Sequence, residues 1–130
     1  MTALPVGTWP VERKRLQRKG PYAMTPQQRR EQIEAMLRED PHDDFLRYGL
    51  AMEYASAGDL ETAVRHLQEL IALKPEKPYV PAFLMAAQSL VKLGRAGEAM
   101  ATLRHGIEAA GKQNELHAQG EMQSLLESLE

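Results

Sequence analysis

The chain of 130 residues contains no cysteine. Disulfides, thiolate nucleophiles and cysteine-ligated metals are therefore excluded, and this usage fits a reducing compartment. Aromatic side chains make up only 5% of the chain. No run of about 18 apolar residues occurs, and the N-terminus lacks the apolar core of a signal peptide. The expectation is a soluble chain in the cytoplasm. β-Branched residues are sparse and almost no stretch alternates with a period of two, so strands are not expected.

What is present suits one globular domain. Hydrophobic residues account for 43% and charged residues for 26%, and a chain of this length buries roughly two-thirds of its surface on folding. A net charge of −2 conceals an asymmetry. Residues 1–23 carry Arg13, Lys14, Arg15, Arg18 and Lys19 against the single acid Glu12, so the remaining chain is acidic. The same segment holds Pro5, Gly7, Pro10, Gly20 and Pro21 and little that packs, which predicts a solvated, disordered basic leader. A basic leader on an acidic body also offers a contact for nucleic acid, a reading that the acidic body argues against.

Helical spacing dominates from Met24 onward. The first helix is predicted over about 26–39, with Thr25 as N-cap and Pro26 in its first turn, ending at Asp40-Pro41. Further helices are predicted over about 43–57, 60–73, 81–93, 96–110 and 113–129, with Gly58, Gly94 and Gly111 each closing one. The chain also repeats itself. GDLETAVRHLQELIALKP (58–75) is echoed by GRAGEAMATLRHGIEAAG (94–111), where Ala63, Leu67 and Ile71 recur as Ala99, Leu103 and Ile107. Twelve residues separate Ala51 from Ala63, and twelve separate Ala87 from Ala99. Small side chains at matching offsets allow the two arms of each helical hairpin to cross closely. Equivalent hairpins then stack as neighbours over one shared core.

The run YGLAMEYASAGDLETAVRHLQELIALKP resembles the tetratricopeptide repeat pattern through Leu50, Ala51, Tyr54, Gly58, Asp59, Ala63 and Pro75. A second unit matches through Phe83, Ala87, Leu90, Gly94, Ala99 and Leu103. Arg47 stands where the family favours a large apolar residue, and Leu70 where it favours a small one. Gly111 replaces the closing proline, and a period of 36 in place of 34 puts two extra residues in KPEKPYV. The resemblance implies an all-α, right-handed solenoid of helical hairpins. Its two repeats, about 44–77 and 80–111, are flanked by an N-terminal and a C-terminal helix within a domain spanning 24–130. Ala51, Gly58, Ala63, Ala87, Gly94 and Ala99 are the expected repeat-packing positions.

FLRYGLAMEYA and PAFLMAAQSLV are apolar on almost every side, so these leading helices are expected inside and the trailing ones outside. In the family the leading helices line the concave face that usually binds. The resemblance therefore implies a protein-interaction module that takes an apolar or amphipathic segment against Phe45, Tyr48, Met52, Leu84, Met85 and Gln88. Self-association through uncovered leading helices is an alternative, as is coverage of the groove by the terminal helix. Phe45, Tyr48, Gly49 and Met52 occupy the side where some relatives place a carboxylate clamp of lysine, asparagine and arginine. Recognition of chaperone tails is accordingly not expected.

No catalytic constellation emerges, and neither an enzyme nor a cofactor is expected. GIEAAGKQ (106–113) fits the spacing of a phosphate loop but has Gln113 where a magnesium-ligating hydroxyl belongs, and it sits along a helix end. His42, His66, His105 and His117 lack metal-ligand spacing and read as solvated surface. The start of the protein is open to test. Codons AGG-AAG-GGN for Arg18-Lys19-Gly20 would resemble a ribosome-binding site upstream of Met24, giving a product of 107 residues. Intact mass of protein from its native source decides; a product of 130 residues overturns this reading.

Overall fold

The computed structural model describes residues 24–130. Six helices and no strand lie within them: α1 (Pro26–Glu39), α2 (Asp44–Ser56), α3 (Leu60–Leu73), α4 (Pro81–Lys92), α5 (Ala96–Lys112) and α6 (Leu116–Leu129). This is the all-α helical repeat that the sequence implies. The basic leader lies outside the described residues, as does the nucleic-acid reading that depends on it.

Local chemistry starts the first three helices. Thr25 and Gln28 form a reciprocal capping box, with Gln28 N donating to Thr25 Oγ1 at 3.1 Å and Thr25 N to Gln28 Oε1 at 2.8 Å. Asp43 Oδ1 accepts from Leu46 N at 2.9 Å, and Asp59 Oδ1 from Thr62 N at 3.2 Å. Each cap satisfies an amide that the helix start would otherwise leave without a partner. Hydrogen bonding from Thr62 holds the Asp59 carboxyl below the usual carboxylate range.

Three turns close on residues in the left-handed region. Gly58 has φ of 86° and Gly94 has φ of 76°, as the sequence leads one to expect. The third turn departs from expectation. α5 continues through Gly111 to Lys112, and Asn114 at φ of 60° makes the turn. Asn114 N bonds Gly111 O and Glu115 N bonds Ala110 O, repeating the closure at Gly94, where Arg95 N bonds Leu90 O. Asparagine tolerates this backbone better than other side chains, so the helix needs no glycine at its end.

Each helix packs on its neighbour in sequence, and α4 also touches α6. Ala51, Ala63, Ala87 and Ala99 are all fully buried. One cluster joins Ala51 of α2, Leu67 and Leu70 of α3, and Ala82 and Ala86 of α4. A larger one gathers Val64, Phe83, Leu90, Leu103 and Met122, so α6 belongs to the same core as the hairpins. Arg95, at the start of α5, reaches Glu61 near the start of α3 at 3.2 Å and also pairs with Glu98. These groups are largely exposed, so they fix register more than they stabilise.

Gly106 marks the tightest crossing. A methyl group added there would meet Met122 Sδ and Phe83 Cβ, both at 2.6 Å. Gly120, within α6, has open space around it. Alanine is worth about 0.5–1 kcal/mol over glycine in a helix, whereas overpacking a core costs about 1–3 kcal/mol. Phe83 Cβ lies too close to its own backbone to swing aside, so the steric term wins at Gly106. Gly106→Ala should therefore lower the thermal midpoint by several degrees, and Gly120→Ala should raise it. A scanning-calorimetry comparison in which both substitutions raise the midpoint overturns this packing account.

Candidate functional site

The leading helices α2 and α4 differ in how well they are covered. α4 buries Ala82, Phe83, Ala86, Ala87, Ser89 and Leu90, flanked by α3, α5 and α6. α2 buries only Leu50 and Ala51. Its outer neighbour α1 contains no fully buried residue. The expectation that an all-round apolar helix is covered on every side thus fails for α2. Phe45 remains 73% exposed and Met52 40% exposed. Among the described residues only α1 stacks before α2, which leaves Phe45 largely and Met52 partly uncovered.

Tyr48, one turn from each, is half-buried between them. Its ring meets that of Tyr79 with centroids 5.5 Å apart and planes tilted by 55°. Burial pushes the Tyr48 phenol up, with a smaller contribution from Tyr79. Burial also raises Tyr79, helped by Asp44 and Asp43. Both phenols stay protonated and can donate a hydrogen bond to a ligand. Tyr79 lies in the connection 74–80, so the longer period brings an aromatic ring under the α2 face.

Across from Tyr48, Leu84, Met85 and Gln88 line a pocket of about 170 Å³. Val80 and Pro81 form one end, and Ala118, Glu121 and Met122 of α6 form the far wall. The structure thus brings Tyr48, Leu84, Met85 and Gln88 to one cavity. Phe45 and Met52 are exposed on α2 and do not line it. The terminal helix neither lies across the groove nor leaves it open at that end; it forms a side wall. Ala118, Glu121 and Tyr79 are not among the groove residues expected from the sequence. Helical spacing in the sequence puts Leu116, Met122, Leu125, Leu126 and Leu129 on one side of α6, but Leu116 is 64% exposed and Met122 is the fully buried one. Ala118 sits one turn before Met122, and Glu121 one turn before Leu125. Which surface they would meet is not encoded in the spacing.

One histidine departs from the expected solvated surface, and a second is exposed as expected but has an aromatic partner. His66 is half-buried, and its ring stacks on Tyr54 at 5.3 Å with planes within 11°. Arg30 lies over the same tyrosine, 5.4 Å from its centroid, so α1, α2 and α3 meet there. His105 is exposed, yet its ring meets Phe83 edge-on at 4.9 Å. Helical periodicity places both beside polar neighbours but does not register aromatic partners on adjacent helices. No group of three potential metal ligands occurs among the described residues.

Two departures from the repeat pattern also acquire reasons. Arg47 donates from Nε to Pro41 O at 2.6 Å and so ties α2 to the preceding turn. Leu70 is buried in the core between α3 and α4, where Ala82 and Ala86 supply the small partners.

Comparison with known proteins agrees with this geometry. Residues 54–120, just over half the chain, match a family model described as tetratricopeptide repeat. A TPR repeat-containing protein of Pseudomonas aeruginosa is 28% identical over 100 residues, covering 77% of this chain and 93% of the relative. A tetratricopeptide repeat domain protein from Salinibacter ruber aligns with TM-score 0.62 and 26% identity, over 67% of this chain and 94% of that one. The solution structure of a Bordetella parapertussis protein aligns with TM-score 0.65 and 26% identity, over 77% and 85% respectively.

His66 gives this region a pH dependence. Burial lowers its pKa, while Glu69 acts the other way. The unfolded chain, with histidine near pKa 6.5, therefore binds more protons than the folded one as pH falls. The stabilising effect of a neutral His66 is present above about pH 6.5 and is lost as pH falls towards the lowered folded value. His66→Phe keeps a flat ring on Tyr54 and removes the titration. The drop in thermal midpoint between about pH 7 and pH 5.5 should be smaller in that variant, and equal drops would overturn the assignment.

Proposed function

The chain belongs to the tetratricopeptide repeat family, and from that premise we propose that it is an interaction module for a protein segment bound along the concave side of α2 and α4. The family generally mediates protein–protein interaction, and its members are generally non-enzymatic scaffolds. The observation that carries the reading for this chain is the exposure of Phe45 and Met52 beside the pocket formed by Tyr48, Leu84, Met85 and Gln88.

The size of the pocket supports a peptide over a small molecule. Sites for drug-sized ligands enclose about 300–1,000 Å³, whereas a cavity of about 150 Å³ admits a single benzene ring. A volume of about 170 Å³ suits one side chain of a longer segment. Covering a large apolar side chain is worth about 1.5–3 kcal/mol, so Phe45, Met52 and one anchored residue together supply a substantial gross gain. Loss of motion on association offsets much of it, which favours modest affinity.

The outer faces at the two ends of the stack are mixed. α1 exposes Gln27, Gln28, Arg29, Glu31 and Gln32 together with Met36, and α6 exposes Gln123, Ser124 and Glu127 together with Leu116. Pairing of two copies through the uncovered α2 face is the second reading, and sedimentation at two concentrations tells it from a foreign segment. Among the described residues no helix is long and apolar enough to cross a membrane.

The test is selection from a displayed random-peptide library on the full chain, followed by fluorescence anisotropy with the selected peptides. Phe45→Glu with Met52→Glu should leave the helical circular dichroism unchanged and weaken binding by at least about tenfold, equivalent to 1.4 kcal/mol. Peptides that bind the double variant as well as the parent would move the site off this face.

A further inference from the structure

From the charge at the rim of the α4–α6 pocket, we infer that the bound segment carries a lysine or arginine beside its apolar anchor, held by Glu121. This inference rests on the concave-face reading above and adds the chemical class of the partner to it.

Glu121 is the only charged side chain among those lining the pocket. Its neighbours there are apolar or neutral: Tyr48, Leu84, Met85, Gln88 and Ala118. Its carboxylate is about half exposed, and His117 lies beside it at 3.3 Å, itself almost fully exposed. The acids on the other leading helix are already engaged by lysine or arginine. Asp44 pairs with Lys74 at 3.1 Å, and Glu53 pairs with Arg29 at 3.1 Å. Lys92 of α4 stands a turn beyond Gln88, outside the pocket lining. Among the residues that line the pocket, Glu121 therefore supplies the one formal charge, and it is negative.

The wider charge distribution points the same way. Residues 24–130 carry a surplus of acids over bases, so a basic segment is drawn to this body from a distance. At short range, an apolar anchor seated between Leu84 and Met85 places the adjoining residues of its chain over the α6 wall. A cation within one helical turn of the anchor then reaches Glu121 without leaving solvent. An acidic residue at the same place would face Glu121 directly. Complementarity of this kind selects among partners more than it adds to affinity.

The side chain of Glu121 takes no part in the buried core, so its substitution leaves the fold intact. This separates the inference from questions of stability. The library selection described above is run in parallel on the parent chain and on Glu121→Lys. Peptides selected on the parent should be enriched in lysine or arginine within four residues of an apolar anchor, and Glu121→Lys should shift that enrichment to aspartate or glutamate. A selected basic peptide, measured by anisotropy, should bind Glu121→Gln about three- to five-fold more weakly, the size expected of an exposed ion pair.

Selected peptides that depend on Phe45 and Met52 yet show no basic enrichment overturn the inference and leave the concave-face reading standing. The inference also falls, and that reading again survives, if Glu121→Lys keeps the parent's charge preference. Peptides that are indifferent to Phe45 and Met52, or a library that yields no binder at all, overturn both.

Discussion

Close contact between helix backbones is the constraint from which the rest of this structure follows. Ala51, Ala63, Ala87 and Ala99 are fully buried, and Gly106 sits under Phe83 and Met122 with no room for a further carbon. Small side chains let large ones from neighbouring helices interlock over them. Phe83, Leu67, Leu90 and Leu103 fill that space and are themselves fully buried. Because the small positions recur at a fixed offset, the second hairpin settles on the first in a register that the exposed Arg95–Glu61 pair also satisfies.

That register decides which surface remains uncovered. α4 lies between α3, α5 and α6 and is buried along most of its length. Among the described residues α2 packs on α3 on one side and on the lightly attached α1 on the other. The side chains left over are Phe45 and Met52, with Tyr48 partly sheltered by Tyr79. α6 then adds a wall that is apolar at Ala118 and Met122 and acidic at Glu121. The candidate site is thus a product of unequal coverage: an apolar stripe at the start of the stack and a charged rim at its end.

Much of this is legible in the sequence, because helices announce themselves through period, caps and stops. The bounds of α1 and α3 agree with Thr25-Pro26, Asp59 and the prolines that follow. Gly58 and Gly94 mark their turns because few other residues adopt a positive φ. The same rule misleads at the end of α5, where Gly111 has the look of a stop and Asn114 performs that role. Gly106 stands out in the sequence only as part of a chance phosphate-loop spacing, since a glycine within a helix reads as a weakness until its neighbours are known. The stacking of His66 on Tyr54 and the wall formed by α6 stay hidden because they depend on which helix surfaces meet. Periodicity gives the apolar side of each helix, not its partner.

The thin attachment of α1 has its own consequence. α1 has no residue fully removed from water, and its link to α2 runs through Ile33 near Gly49, the Arg29–Glu53 pair and Arg30 over Tyr54. Cohesion in the stack therefore rises from α1 towards the layers around Phe83. A unit held this lightly is the first to open in local fluctuations, on free energies well below that of global unfolding. Each such opening bares the flank of α2 that α1 protects, so the apolar surface on offer is wider in the fluctuating ensemble than in the resting structure.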